Sequence, residues 1–275
     1  MVEDIASLLR AAKPTLITRL GFTELAVLQG IESGSLNVMT RFQAWTGAGI
    51  WPPTKHSLEV FSESYWRAIW RSDLVGYWTG SQLDYLIGHS DPLVSLPRFE
   101  PASEFDPISY PKERAEDCWT SALEGRRIAV IHPMTDSIRL QSAKLKQMHK
   151  KTRLDFQVTG IISPPLTNGL RVAGLPFGAQ LGLFEKNVSR FIEQSRPDIV
   201  LVAAGAYGAP IAHHIFSLGV TAFQMGGSLQ LLFGIMGNRW RNSVLVQNQV
   251  TEHWLSKPLE ARPTGSILIE GSTYW

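Results

Sequence analysis

The chain has 275 residues, 44% of them hydrophobic and 18% charged, with 23 Gly, 16 Pro, nine Trp and a single Cys. That length buries a large core, the hydrophobic fraction excludes a disordered or low-complexity chain, and the lone Cys118 excludes an internal disulfide and a thiolate zinc cluster. The net charge of +2 divides into −4 over residues 1–110 and +6 over residues 111–275, which makes the second half the better place for an anionic ligand.

The start of the chain carries Glu3 and Asp4 where a signal peptide would be basic. The most apolar stretch, 199–212, is broken by Gly205, Gly208 and Pro210, so a cytoplasmic protein is expected. A short helix over 3–12 leads to a strand at 15–21 and a helix at 23–33. Residues 54–72 predict one long helix, with Leu58, Phe61, Tyr65 and Ile69 on one stripe and Trp66 and Trp70 one turn apart beside it. LVGYW (74–78) fits a further strand and SQLDYLIG a short helix, while five prolines make 89–112 read as a long loop. Residues 34–120 together read as a helical, Trp-rich insertion. Six of the nine tryptophans lie between 45 and 119, as bulky core or as an acceptor-side wall.

From residue 125 the pattern alternates. RIAVIH (127–132) is a buried strand, TDSIRLQSAKLKQMHKK a helix, DFQVTGIIS (155–163) a strand, and GAQLGLFEKNVSRFIEQS (178–195) an amphipathic helix. DIVLVA (198–203), AYGAPIAHHIFSLG and VTAFQM (220–225) continue as strand, helix and strand. The expected fold is a single α/β domain over 1–275: a mostly parallel, Rossmann-like sheet with helices on both faces.

Open α/β sheets bind ligands at strand carboxyl ends, which directs attention to 19–24, 132–136, 203–208 and 225–227. Residues 200–227 have the shape of a nucleotide-binding βαβ unit. Gly205 and Gly208, with Tyr207 between them, allow a tight turn and close approach of a phosphate to a helix N-terminus. The spacing is G-x-x-G, and the next strand ends without the carboxylate that would hold a ribose, which disfavours NAD. In GGSLQLLFGIMGNRW (226–240), Gly226 and Gly227 open a helix carrying Gln230. Arg239 can fork onto a diphosphate with Trp240 under a base or sugar; alternatively, Arg239 clamps the C-terminal tail and Trp240 is core. In TRLGFTEL (18–25), Arg19, Gly21 and Glu24 fall where a strand becomes a helix. Glu24 there can ligate a metal, hold a sugar hydroxyl or act as base, or simply complement the helix dipole. His132 ends a central strand as an acid/base or phosphate contact, or as a structural imidazole. The basic run Arg139, Lys144, Lys146, Lys150, Lys151 and Arg153 reads as a solvated flank or as a surface for a phosphorylated lipid acceptor or anionic membrane. Nucleic acid has no motif in its favour, and no G-x-S-x-G, Walker loop, H-E-x-x-H or C-x-x-C occurs.

TRLGFTEL resembles the R-x-G-D-x-E segment on the first strand of GT-D-fold glycosyltransferases. Residues 197–227 are similar to that family's late strand–glycine turn–helix–strand unit. GRRIAVIHPMTDSIRLQ and GGSLQLLFGIMGNRW resemble segments of GT-D-like proteins from bacterial polysaccharide gene clusters. The likeness spans most of 15–33 and 125–241. It implies sugar transfer from a nucleotide-sugar donor, UDP-linked in many members, to a glycan or lipid-linked glycan acceptor in surface-polysaccharide assembly, at the inner face of the membrane. It also implies a divalent cation, Mn or Mg, held by the D-x-E carboxylates. Arg19, Gly21 and Glu24 match the pattern, but Phe22 stands at the family's Asp. A single carboxylate is a poor metal site, so the diphosphate charge would fall to Arg239, the helix N-termini after Gly205 and Gly227, and His132. The alternatives are a catalytically silent nucleotide- or sugar-binding protein of the same fold and a different nucleotide-dependent α/β enzyme.

Overall fold

Seven short strands lie side by side, all parallel: β1 (Leu16–Arg19), β2 (Leu74–Tyr77), β3 (Arg98–Pro101), β4 (Arg127–Ile131), β5 (Gln157–Ile162), β6 (Ile199–Val202) and β7 (Thr221–Gln224). Their order is β3-β2-β1-β7-β6-β4-β5. The computed structural model describes residues 4–89, 95–108, 118–150, 154–269 and 271–275. The helices of the described residues that matter here are α1 (Ile5–Arg10), α2 (Phe22–Glu32), α3 (Val38–Gln43), α4 (Lys55–Arg71), α5 (Gly80–Gly88), α6 (Thr135–Ser142), α7 (Phe177–Ser195) and α8 (Gly208–Ser217).

β6 is apolar at every position, and β4 at every position after Arg127, because both faces are covered. Their period-two alternation divides the core. Ala129, Ile131, Val200, Val202 and Ala222 pack with α4, α7 and α8 on one face. Ile128, Val130, Ile199, Leu201 and Phe223 pack with α1 and α6 on the other. Helix boundaries follow local chemistry. The side chains of Asp4, Thr54 and Thr79 cap the first turns of α1, α4 and α5, and α7 stops at Arg196, which takes a left-handed conformation (φ 43°) just before Pro197.

Three expectations need adjusting. The region 34–120 does supply α3 to α5, but it also supplies β2 and β3, so it contributes two strands to the sheet and is not wholly an insertion. β3 lies inside the stretch expected to be a loop. As an edge strand it pairs on one side only and tolerates the sequence RFEP. The basic helix expected to run through 151 stops at Ser142. Residues beyond it turn to meet the later chain: His149 bridges to Val250, and Trp254 Nε1 donates to the Met148 carbonyl at 2.7 Å. On that flank Arg139 pairs with Asp136 and Lys146 with Asp155, and Lys151 and Arg153 fall outside the described residues. No helix of the described residues is long and apolar enough to cross a membrane.

The winding changes direction in the middle of the sheet. β4 passes the chain outward to β5, whereas its neighbour β6 passes it back toward β7. Crevices open at such points beyond the strand carboxyl ends.

Candidate functional site

A cavity of about 140 Å³ occupies that position, reached by the carboxyl ends of β1, β4, β6 and β7. Each of the four strand ends singled out from the sequence contributes to it, through Arg19, His132, Gly205 and Gly226, among others.

The β1–α2 turn is the most constrained part. Tyr65, fully buried on α4, donates its hydroxyl hydrogen to the Arg19 carbonyl (3.2 Å) and accepts from the Gly21 amide (3.3 Å), which fixes the path of the turn. Burial, reinforced by the charge of Glu24, raises the pKa of this phenol, so it remains a donor. Gly21 begins α2 without a side-chain cap, and Glu24 in the first turn folds its carboxylate back over it. A Cβ at position 21 would collide with that carboxylate. The glycine leaves room for the Glu24 carboxylate in this position, and a Cβ there would displace it. The Arg19 amide donates to Gln224 Oε1 at 2.9 Å, tying β1 to β7. The Arg19 guanidinium lies over Trp78, 5.1 Å from the ring centroid, and against Gly226. Gly226 has φ 60°, which favours glycine, and a Cβ there would displace the guanidinium.

His132 is 4% exposed, and its Nδ1 accepts from the Met134 amide at 2.9 Å. Burial pushes its pKa down to about 3. The imidazole is consequently neutral, with its proton on Nε2: a hydrogen-bond donor, not the cation that an offset of diphosphate charge requires.

The other predicted residues divide. Gly205 and Gly227 line the cavity, each also meeting protein at close range. Gly205 (φ 51°) packs under the Ala48 carbonyl, and Gly227 packs under the Tyr274 ring. Tyr207, Gly208, Gln230, Arg239 and Trp240 are not among the lining residues. Tyr207 is core, packed against Phe177 with ring centroids 4.7 Å apart and the planes tilted by 30°, and its hydroxyl donates to Gln180. Gly208 packs against the Gln224 amide that holds β1. Gln230 donates to the Tyr274 carbonyl at 3.0 Å. Arg239 lies over the Tyr274 ring at 5.1 Å and bonds Thr273, while Trp240 is buried. Arg239 thus lies against the tail through a hydroxyl and an aromatic ring, where the alternative read from sequence had a clamp on a carboxylate.

Sequence reasoning missed the β5–α7 loop. It brings Leu166, Asn168 and Arg171 to the cavity. The loop is fastened to the turn after α3: the Gly169 amide donates to the Thr46 carbonyl (2.7 Å), and Trp45 Nε1 donates to the Arg171 carbonyl (2.8 Å). The signal was available, because this loop also leaves a strand's carboxyl end and carries a cation. The tail residues Ile269, Tyr274 and Trp275 complete the wall.

No protein-family model and no curated protein matches the sequence. Among solved structures, the chain is similar to "A New Glycosyltransferase (DUF1792) from Streptococcus sanguinis", with a TM-score of 0.39, 10% identity and coverage of 82% of this chain and 80% of that one. It is similar also to one described as "The highly conserved domain of unknown function 1792 has a distinct glycosyltransferase fold", with a TM-score of 0.38, 11% identity and coverage of 90% and 85%. A third, a selenomethionine-substituted structure of the domain of unknown function 1792, has a TM-score of 0.36, 11% identity and coverage of 78% and 73%. Likeness this loose carries no functional weight; the cavity chemistry does.

That chemistry is two arginines, a neutral imidazole donor, glycine-rich backbone and Glu24, the one carboxylate among the described lining residues. The donor set does not fit a resident divalent cation, which takes several oxygen ligands. Phe22, at the position of the resembled family's Asp, is 59% exposed and stacked on Trp78 at 6.0 Å. Among the described residues no three His, Cys, Asp or Glu side chains converge as a metal cluster.

Proposed function

We propose that the chain is a glycosyltransferase that takes a sugar from a nucleotide-sugar donor without a resident metal and passes it to a glycan or lipid-linked glycan acceptor in cell-surface polysaccharide assembly. The observation that carries the reading is the juxtaposition, in one cavity at the sheet's winding switch, of a lone carboxylate held over Gly21 with Arg19 and Arg171. The match of Arg19, Gly21 and Glu24 to the GT-D pattern supports it.

In this reading the two guanidiniums stabilise the negative charge that develops on the departing diphosphate as the anomeric C–O bond breaks. His132 Nε2–H adds a neutral hydrogen bond to the same oxygens. Glu24 accepts the proton of the acceptor hydroxyl as its oxygen bonds to the anomeric carbon. The enclosed volume, about 140 Å³, is smaller than the ~300–1,000 Å³ of whole-ligand pockets. It accommodates the reacting sugar–phosphate portion, and the nucleoside lies outward along the mouth.

The test is transfer and donor hydrolysis across a UDP-sugar panel, with manganese or with EDTA. Turnover that survives EDTA and is lost in Glu24→Gln supports the proposal; turnover that requires manganese defeats its metal-free form. Phe22 favours one second reading, a nucleotide- or sugar-binding protein without turnover. Saturable donor binding by thermal shift with no product under any condition identifies that case.

A further inference from the structure

A second cavity, of about 710 Å³, opens at the opposite edge of the sheet, where the chain enters β2 and β3. Arg67, Trp70 and Arg71 reach it from the last turns of α4, and Leu96, Pro97 and Arg98 reach it from the start of β3. Two exposed arginines, Arg67 and Arg71, therefore border one opening, with Arg98 also in its wall. Arg67 and Arg71 are exposed and form no ion pair among the described residues. Arg98 Nη1 and Nη2 are buried without a hydrogen-bond partner, Glu100 standing 3.6 Å from Nη2. The carboxylate that also borders the cavity, Asp73, is engaged by the Leu16 amide at 2.8 Å. The positive field is felt nearby: the pKa of His213 is lowered chiefly by burial and further by Arg67 and Arg71.

The aromatic wall is preorganised. Trp70 stacks on Trp66 at 5.2 Å with 1° between the planes, and Trp66 stacks on His89 at 6.0 Å and 11°. His89 is anchored in turn by Glu32 at 2.9 Å. Trp70 is the end of this ladder that borders the arginines, and its orientation is set before any ligand arrives.

We propose that this cavity is a binding site for an acidic pyranose, a sugar carrying a carboxylate or phosphate. The sugar's C–H face would rest on Trp70, and its anionic group would lie between Arg67 and Arg71. Guanidiniums pair with planar oxyanions in fork geometry, and a flat indole face suits a saturated ring. The site does not depend on the reading of the strand carboxyl ends. A protein that extends an acidic glycan would hold the polymer here while its end reacts elsewhere.

Calorimetric titration of the full chain with trigalacturonate tests it, with maltotriose, inorganic phosphate and UDP as comparison ligands. The expected result is trigalacturonate binding that weakens with added salt, with maltotriose and phosphate about tenfold weaker or worse. The double variant Arg67→Gln/Arg71→Gln should lose about tenfold in affinity without loss of thermal stability, Trp70→Leu should lose as much while also giving up its stacking on Trp66, and Glu24→Gln should bind normally. No trigalacturonate binding overturns the proposal. So does equal binding of maltotriose or phosphate, displacement of trigalacturonate by UDP, full affinity in the α4 variants, or loss of affinity in Glu24→Gln.

Discussion

Glu24 and Tyr65 carry different kinds of consequence. Glu24→Gln keeps the side chain's shape but removes the base, so turnover should fall about 10²–10⁴-fold with the melting temperature nearly unchanged. Tyr65→Phe leaves the buried Gly21 amide and Arg19 carbonyl without their partner. It should cost about 1–3 kcal/mol in a denaturation experiment and weaken donor binding as the turn relaxes. His132 sets an acid limit. It and His149, pushed down to about 3 and about 4 chiefly by burial, are neutral in the fold, yet they take up protons in the unfolded chain below the ordinary imidazole value of 6.5. The unfolded state thus binds more protons, and stability is complete above about pH 6.5 and falls as pH drops through the window toward 4 and 3. The slope should approach about 1.4 kcal/mol per pH unit for each histidine, and His132→Gln should flatten it. A melting temperature that is flat between pH 6.5 and 4.5 would contradict this assignment.

Among the elements, the turns after β1 and β7 act as a pair, because Arg19 reaches across to Gly226. Gly226→Ala adds about 1–2 kcal/mol of left-handed backbone strain and drives the guanidinium off Trp78, so donor affinity should fall together with stability. Trp45→Phe tests the β5–α7 loop. Loss of the hydrogen bond to the Arg171 carbonyl should raise the donor KM more than it lowers stability, and an unchanged KM would remove that loop from the site. The core strands were legible because a strand covered on both faces is written as a β-branched apolar run: AVI in β4, IVLV in β6. β3 was not, since RFEP carries neither alternation nor an apolar run and is a strand only by its pairing with β2. The end of α6 was equally hidden: Met148 belongs beside Gly234 and Trp254, a tertiary demand that local periodicity does not encode. In the candidate site, Arg19, Gly21, Glu24 and the glycine turns were visible as strand-end chemistry. Arg239 and Trp240 misled because an Arg-Trp pair after a glycine looks the same whether it clamps a tail or a phosphate.

Across the whole molecule, charge and aromatic content take on spatial meaning. The tryptophans, a bare count in the sequence, fall into distinct tasks: Trp78 under Arg19, Trp45 behind Arg171, and Trp66 with Trp70 along α4. The bond from the Arg19 amide to Gln224 joins residues 205 positions apart and has a consequence for synthesis. β1 is made before every other strand of the sheet and its neighbour β7 after them, so the first strand waits for the last before the sheet can close. Nascent chains released before residue 224 would lack the β7 wall of the cavity.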